Sequence, residues 1–404
     1  MDHFEKLLAE ATAKGSNGIP GTVVAVVDKE GKYVYKKTAG YKTLAEYALP
    51  MDFDSTYAIA SCTKLITSIA ALQCVERGQI TLDGPVDKLL PELTELPIIE
   101  ASADNAEKPP YTLKPAKKSI TLRHLLTHTS GTCYEVMDPS VAAWRTDRGE
   151  GPKWMIGKVV EAFSTPRIFE AGESWSYGTS LDWAGLLVGR LNKTTLGEYV
   201  EQHIFSPLGM NSTTFHLEQK PHVREELMTM FARGPGGELL PGPSRILADP
   251  APEEMGGTGL YSSVPDYTRV LADLLKESPV VLKKETVDMM FTPQLAEGTS
   301  AHSALIGEDR DTYRLMVGGT SRGLNISFGL GGLVILDDIE KPDYYKPKGT
   351  LTWSGLPNLV WAVNREKGLA LMYATQIVPW GDEKSHAVTQ AFETAVWRNL
   401  SKSA

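Results

Sequence analysis

Strand signal sits near the two ends of this sequence and is nearly missing from its middle. "GTVVAVVDKEGKYVYKKTAG", residues 21–40, holds two β-rich runs around Asp28-Lys29-Glu30-Gly31, a hairpin pattern. Late in the chain, "SFGLGGLVIL", "GTLTWSGLPNLVWAV" and "KGLALMYATQIV" are β-branched or aromatic runs separated by turn residues, in meander order. Residues from about 80 to 245 read mostly as helices and loops, with "LDWAGLLVGRLNKTTLGEYVEQHIFSPLGM" helical on both sides of 189–195. The early hairpin and the late meander are therefore expected to complete one antiparallel sheet flanked by helices, an α+β fold. Residues 1–80 and 246–404 would form this discontinuous sheet domain, and 81–245 an inserted, mostly helical one.

Helices are expected at both ends. In "MDHFEKLLAEATAKG" Phe4, Leu7, Leu8 and Ala11 share one helical face, and "EKSHAVTQAFETAVWRNL" is amphipathic. The first is read as a docking helix, because Asp2 and Glu5 break the basic-then-apolar order of a signal peptide. "ASADNAEKPPYTLKPAKKS" is polar and reads as a surface excursion. At 404 residues there is ample core for one large or two intermediate domains, and 42% hydrophobic with 23% charged residues is ordinary for a soluble globular chain. The net charge of -9, with no basic run, argues against a nucleic-acid partner. No stretch approaches the roughly 18 to 20 apolar residues of a membrane span. Cys62, Cys74 and Cys133 make no disulfide framework and fit a reducing interior, so the expected location is cytoplasmic.

Chemistry enters with "ASCTKLITSIAALQCVERG", residues 60–78. Leu65, Ile66, Ile69, Leu72 and Val75 recur at helical spacing, yet the opening turn holds Ser61 and Lys64. Residues i and i+3 share a helix face, so the amine reaches the hydroxyl. A serine attacks only once a neighbouring base takes its proton, and a lysine amine serves as that base where burial disfavours its charged form. Free N–H groups at the helix start face whatever sits there. A serine cap followed by a lysine snorkelling to solvent accounts for the same four residues.

Two further stretches bear on the choice. "GESWSYGTSLDWAG" offers Tyr177 in a loop leading into a helix, where a phenol beside an ammonium acts as a second general base or, more plainly, anchors a helix start. "TWSGLPNLVWAV" carries Ser354-Gly355 at the start of a β-run, where a strand N–H and that of Ser61 would together stabilise an oxyanion; an ordinary strand with a glycine bulge is the alternative.

Taken in order, Ser61-Cys62-Thr63-Lys64, "TLRHLLTHTSG" and "WSYGTSLDWAG" resemble the serine β-lactamase and penicillin-binding superfamily, in its class C-like branch with its esterase relatives. "SPLGM", "LPNLVW" and "PWGD" add a likeness to fungal polyketide acyltransferases of the lovastatin transesterase type, spanning Gly21 to Trp380. The resemblance implies a β-lactamase/transpeptidase-like fold with the active site between the two domains. It implies Ser61 as nucleophile, Lys64 as base, Tyr177 as third catalytic residue, and the Ser61 and Leu356 N–H groups as oxyanion donors. Trp353, Ser354, Gly355 and Trp380 would bind substrate. The implied activity is acyl transfer from a thioester through acyl-Ser61 to an alcohol of a polyketide-like or other small acceptor, without a cofactor. The donor would be a carrier protein, CoA or a small thioester, with the acyl-carrier domain of a polyketide synthase a possible partner. Two departures weigh against a β-lactamase. Trp353-Ser354-Gly355 stands where lactamases carry Lys-Thr-Gly, and an indole does not neutralise a carboxylate. Tyr177-Gly178-Thr179 replaces Tyr-x-Asn and loses its amide.

An esterase shares the first half-reaction, with water as acceptor. An inactive relative that only binds a ligand has no need of a nucleophile flanked by two bases. His124 and His128 are four apart, but Leu125 stands where a metalloprotease helix needs Glu, so no metal site is expected and both read as structural. Cys62 should face the core, since helix neighbours point about 100° apart. "MGGTGLYSS" and "FGLGG" lack the continuation of a phosphate or dinucleotide loop.

Overall fold

The computed structural model describes residues 1–102, 109–154, 156–307, 313, 316–321 and 323–400. The elements that position the site are, in chain order, α1 (Asp2–Ala11), β1 (Gly21–Asp28), β2 (Tyr33–Gly40), α2 (Thr63–Glu76), α3 (Ser180–Asn192), α4 (Val264–Asp273), β3 (Ile326–Phe328), β4 (Leu333–Ile335), β5 (Thr350–Gly355), β6 (Leu359–Asn364), β7 (Leu369–Ala374) and α5 (Glu383–Ala395). The sheet runs β2-β1-β7-β6-β5-β4-β3, every neighbouring pair antiparallel. The early hairpin thus joins the late meander along β1 and β7, where Val24 lies opposite Tyr373 and Val26 opposite Leu371. The hairpin turn is set locally, because the Asp28 carboxylate accepts the N–H groups of Glu30 at 3.1 Å and Lys32 at 2.9 Å.

Alternation along β1 explains how the sheet is covered. Val23, Ala25 and Val27 point into the main core with Leu65, Ile66 and Ile69 of α2. Val24 and Val26 point the other way, onto Phe4 and Leu8 of α1 and Val388 and Phe392 of α5. The docking face expected of the first helix is the one used, with the Phe4 and Phe392 rings 5.2 Å apart.

Helix α2 is buried from Thr63 to Cys74, so its polar residues need internal partners. Leu260 N–H donates to Thr63 Oγ1 at 3.1 Å, Thr67 Oγ1 donates to Gly256 O at 2.7 Å, and Gln73 Nε2 donates to Val281 O at 2.8 Å. The first two bonds fix the helix against the segment that precedes α4, and the third against the segment that follows it. Its other side packs on α3.

Residues 81–245 carry helices and loops, together with two short hairpins that the sequence reading did not anticipate, Ile98–Ala101 with Tyr111–Lys114 and Phe231–Arg233 with Leu239–Pro241. The polar excursion grows from the first of these; its residues 103–108 lie outside the described residues. "SFGLGGLVIL" is not one strand but two, β3 and β4, folded back where Gly329 N–H donates to Gly332 O at 2.8 Å. All three cysteines are free and buried. Among the described residues no helix is long and apolar enough to cross a membrane.

Candidate active site

Ser61 occupies a single 3-10 turn, Ala60–Cys62, that runs directly into α2. Ala60 before it has φ +43°, a left-handed value that costs a non-glycine residue on the order of 1 kcal/mol or more. The turn leaves Ser61 half-buried at a cavity wall while Cys62 faces inward, fully buried, with burial pushing its thiol pKa far up. That is the inert thiol expected from helix geometry.

Lys64 is 3% exposed, and its Nζ meets three oxygens: Ser61 Oγ at 3.2 Å, Tyr134 OH at 3.1 Å and Gly257 O at 2.8 Å. It is therefore no snorkelling lysine. The Tyr177 hydroxyl lies 2.6 Å from Ser61 Oγ, and its ring lies 4.7 Å from Lys64 Nζ. Ser61, Lys64 and Tyr177 therefore converge, from the α2 start and from the loop that opens α3.

Behind this triplet stands an aromatic wall. Trp353 of β5 is 2% exposed, and its Nε1 donates to Tyr177 OH at 3.4 Å, with the two rings 5.2 Å apart. His128 packs on the same phenol at 4.9 Å, and burial and the nearby Lys64 charge hold its imidazole neutral. His124 has a different task. Its Nδ1 accepts Thr121 N–H at 3.1 Å while Thr121 Oγ1 accepts His124 N–H at 3.3 Å, a capping box on the short helix Leu122–Leu126.

The end of β5 comes close to the turn that bears Ser61. A Cβ on Gly355 would stand 2.4 Å from Ile59 O, so only glycine allows this approach, and Leu356 follows it onto the wall of the cavity that Ser61 also lines. Asn358, buried and left-handed at φ +63°, locks the hairpin to the segment bearing Trp380. Its Nδ2 donates to Ile377 O and Pro379 O at 2.8 and 2.9 Å, and its Oδ1 accepts from Gly381 and Asp382 N–H at 2.9 and 3.2 Å. Trp380 Nε1 then donates to Ser354 Oγ at 3.2 Å. Of the residues expected to bind substrate, Trp353 thus backs Tyr177, and Ser354 and Trp380 hold each other.

The cavity itself encloses about 210 Å³ and is lined mainly by apolar side chains, among them Val136, Met137, Trp154, Ile246 and Met255. Val136 and Met137 form its rim and are 64% and 49% exposed. The rim is held from behind: Lys153 N–H donates to Glu135 Oε1 at 2.6 Å, and the buried Arg145 pairs with Glu135 and, at 2.9 Å, with Glu150. Among the described residues Glu253 is the one charged side chain on the wall, and Val159 N–H donates to it at 2.5 Å. Such an arrangement can hold an acyl or hydrocarbon group beside an alcohol flanked by an amine and a phenol.

Sequence reasoning missed four contributors. Tyr134 and Gly257 touch Lys64 from distant segments, with no pattern to flag them. Asn358 signals only by its positive φ, which a sequence does not print. Asp182 was visible, as the one acid inside the apolar run "SLDWAGLLVG" of α3. It is fully buried and accepts Gly257 N–H at 2.8 Å, and burial raises its pKa to about 6 against the pull of the nearby Lys64 charge.

Comparison with known proteins places the chain in a family. Residues 3–395 match the Beta-lactamase family. The chain is 35% identical to monacolin J acid methylbutanoyltransferase of Aspergillus terreus, over 95% of this chain and 92% of that protein. It is 34% identical to lovastatin esterase of Penicillium rubens, covering 95% of each. The structure superposes on unliganded simvastatin synthase (LovD) of Aspergillus terreus with a TM-score of 0.84 at 31% identity, over 99% of this chain and 98% of that one. With a continuous family match, an antiparallel sheet of the same architecture and enzymes of acyl transfer and ester cleavage as relatives, this chain belongs to the β-lactamase family.

Proposed function

We propose that the protein is a serine acyltransferase in which Ser61 carries the acyl group from a thioester donor to the hydroxyl of a small, apolar, polyketide-like acceptor. In the first half-reaction Ser61 Oγ attacks the thioester carbonyl, its proton passes to the Lys64–Tyr177 pair, and the oxyanion sits between the Ser61 and Leu356 N–H groups. Collapse expels the thiol, which takes the proton back, and leaves acyl-Ser61. In the second half the same pair removes the acceptor hydroxyl proton, the alkoxide attacks the acyl carbonyl, and Ser61 leaves with that proton.

One observation carries the reading: the 2.6 Å and 3.2 Å contacts from Tyr177 and Lys64 to Ser61 Oγ at the wall of an apolar cavity. A serine cap with a surface lysine requires neither contact, and a site that merely binds has no use for both. Among the described residues the wall bears no cationic side chain, which suits uncharged acyl groups better than the carboxylate of a β-lactam. The donor is a carrier-protein, CoA or small thioester, and an acyl-carrier domain is the natural partner if the acyl chain is made on a polyketide synthase. We also take residues 81–245 as the inserted domain, since the cavity wall draws Tyr134, Trp154 and Tyr177 from it and Ser61, Ile246 and Leu356 from the remainder.

Hydrolysis is the second reading, favoured by the esterase relative and by a rim open enough for water. A short acyl thioester, incubated with and without an apolar secondary alcohol, separates the two by chromatography of the products. Ester formed faster than free acid is the expected result. Free acid alone, at a rate indifferent to alcohol, assigns the protein to the esterases instead.

A further inference from the structure

Lys64 needs its amine held on Ser61, and two of its three contacts are to groups that themselves have to be fixed. Gly257 O, at 2.8 Å the shortest of them, belongs to a peptide whose neighbouring N–H donates to Asp182 at 2.8 Å. Asp182 sits in the first turn of α3, five residues after Tyr177, so one stretch of chain delivers both the phenol and this carboxylate. A Cβ on Gly257 would stand 2.3 Å from Asp182 Oδ2, which makes glycine a requirement of the contact. The groups facing Asp182 come from each element around it: Lys64 from α2, Tyr134 from the segment before the Glu135–Met137 turn, and the Gly257 N–H from the segment before α4. Tyr134 is held as the neutral phenol by burial, with the Asp182 charge adding to that effect. The nearby Lys64 amine pulls Asp182 toward its charged form against the burial that raises its pKa, so carboxylate and amine share one buried pocket.

We infer that Asp182 is a positioning residue of the active site: through Gly257 it aims the carbonyl that holds Lys64 on Ser61, and its carboxylate is the buried counter-charge to the ammonium that Lys64 becomes on taking the Ser61 proton. This rests on the reading of Ser61 as nucleophile. Protonating Asp182 weakens its acceptance of Gly257 N–H and removes the counter-charge, so the reactivity of Ser61 should fall as pH drops through the range in which Asp182 titrates.

The test is the rate at which a fluorophosphonate probe labels Ser61, followed from pH 4.5 to 9. In the wild type the rate should fall on the acid side with a midpoint near 6, where burial places Asp182. Asp182→Asn keeps an oxygen for Gly257 N–H and the side-chain volume but carries no charge. It should label at least tenfold more slowly at pH 8, with the acid limb gone. A merely structural role would reduce the amount of active protein without moving the midpoint. A wild type with a flat profile, or an Asn variant that keeps both rate and limb, overturns the inference while leaving Ser61 as nucleophile. A wild type that takes no label at all overturns the Ser61 reading and this inference with it.

Discussion

Replacing Tyr177 by phenylalanine removes a single oxygen, and the structure shows what that oxygen touches. It lies 2.6 Å from Ser61 Oγ and accepts the Trp353 indole N–H at 3.4 Å. Losing a positioned proton acceptor costs about 10² to 10⁴ in rate, equivalent to roughly 3 to 5 kcal/mol of barrier. The stability cost is smaller. The indole N–H of a residue 2% exposed loses a partner, about 1 to 3 kcal/mol, while the ring and its packing on His128 and Trp353 remain. A domain of ordinary stability, about 5 to 15 kcal/mol, tolerates that and stays folded at 25 °C, so the rate loss would be a loss of chemistry and not of protein. Hydrolysis of a p-nitrophenyl ester should fall at least a hundredfold in kcat, with the melting temperature lowered by a few degrees. Trp353→Phe, which removes the donor to the phenol together with part of the buried ring, should lose about tenfold or less. A Tyr177→Phe enzyme that melts normally and turns over within about threefold of wild type would refute the assignment of Tyr177.

Other outcomes follow from the same geometry. Lys64→Met, matched in length but without its amine, should remain folded and lose probe labelling by about 10² or more; normal labelling would remove Lys64 from proton transfer. Gly355→Ala would press a Cβ against Ile59 O, 2.4 Å away in the present backbone, and so displace the Leu356 N–H; esterase kcat should fall by about 10² to 10³, and an unchanged kcat would place the oxyanion elsewhere. Asn358→Gly keeps the left-handed backbone but deletes four hydrogen bonds, which should lower unfolding stability in urea by about 2 to 4 kcal/mol; a midpoint unmoved would mean those bonds are replaced by water. Asp182 also bears on stability. Its folded pKa, near 6, lies above the ordinary 3.8, so its ionisation penalises the folded state as pH rises from about 4 to 6 and the penalty persists above that. Asp182→Asn should therefore raise stability at pH 8 by on the order of 3 kcal/mol at most while slowing the chemistry; a variant that is both slower and less stable at pH 8 would contradict the cost assigned to that carboxylate.

What was legible in the sequence followed from local periodicity. Strands β1, β2, β5, β6 and β7 announce themselves through β-branched runs with turn residues between them, and Ser61 with Lys64 is legible because a helix repeats every 3.6 residues. The hairpins at 98–114 and 231–241 escaped because strands of three or four residues leave too little pattern. Tyr177 was singled out by its loop-to-helix context and placed in the mechanism by resemblance; nothing in its own neighbours says that it meets Ser61. Trp353 was expected to bind substrate through the resemblance alone; its position beside Tyr177 depends on how β5 stacks against His128 and Phe328, which no local pattern shows. Tyr134 and Gly257 reach Lys64 only through chain closure across distant segments. An acid in an apolar helix, as Asp182 is, was the one mark of the hidden part of the site that a sequence displays.

The account turns on acyl chemistry at one oxygen, and mass spectrometry of the protein after brief exposure to a short acyl thioester reads it directly. The expected result is a single acyl increment on the peptide containing Ser61, absent in Ser61→Ala and discharged when an apolar alcohol is added. A wild type that turns over the thioester with no adduct on Ser61, or with the acyl group found on Cys62, would contradict it.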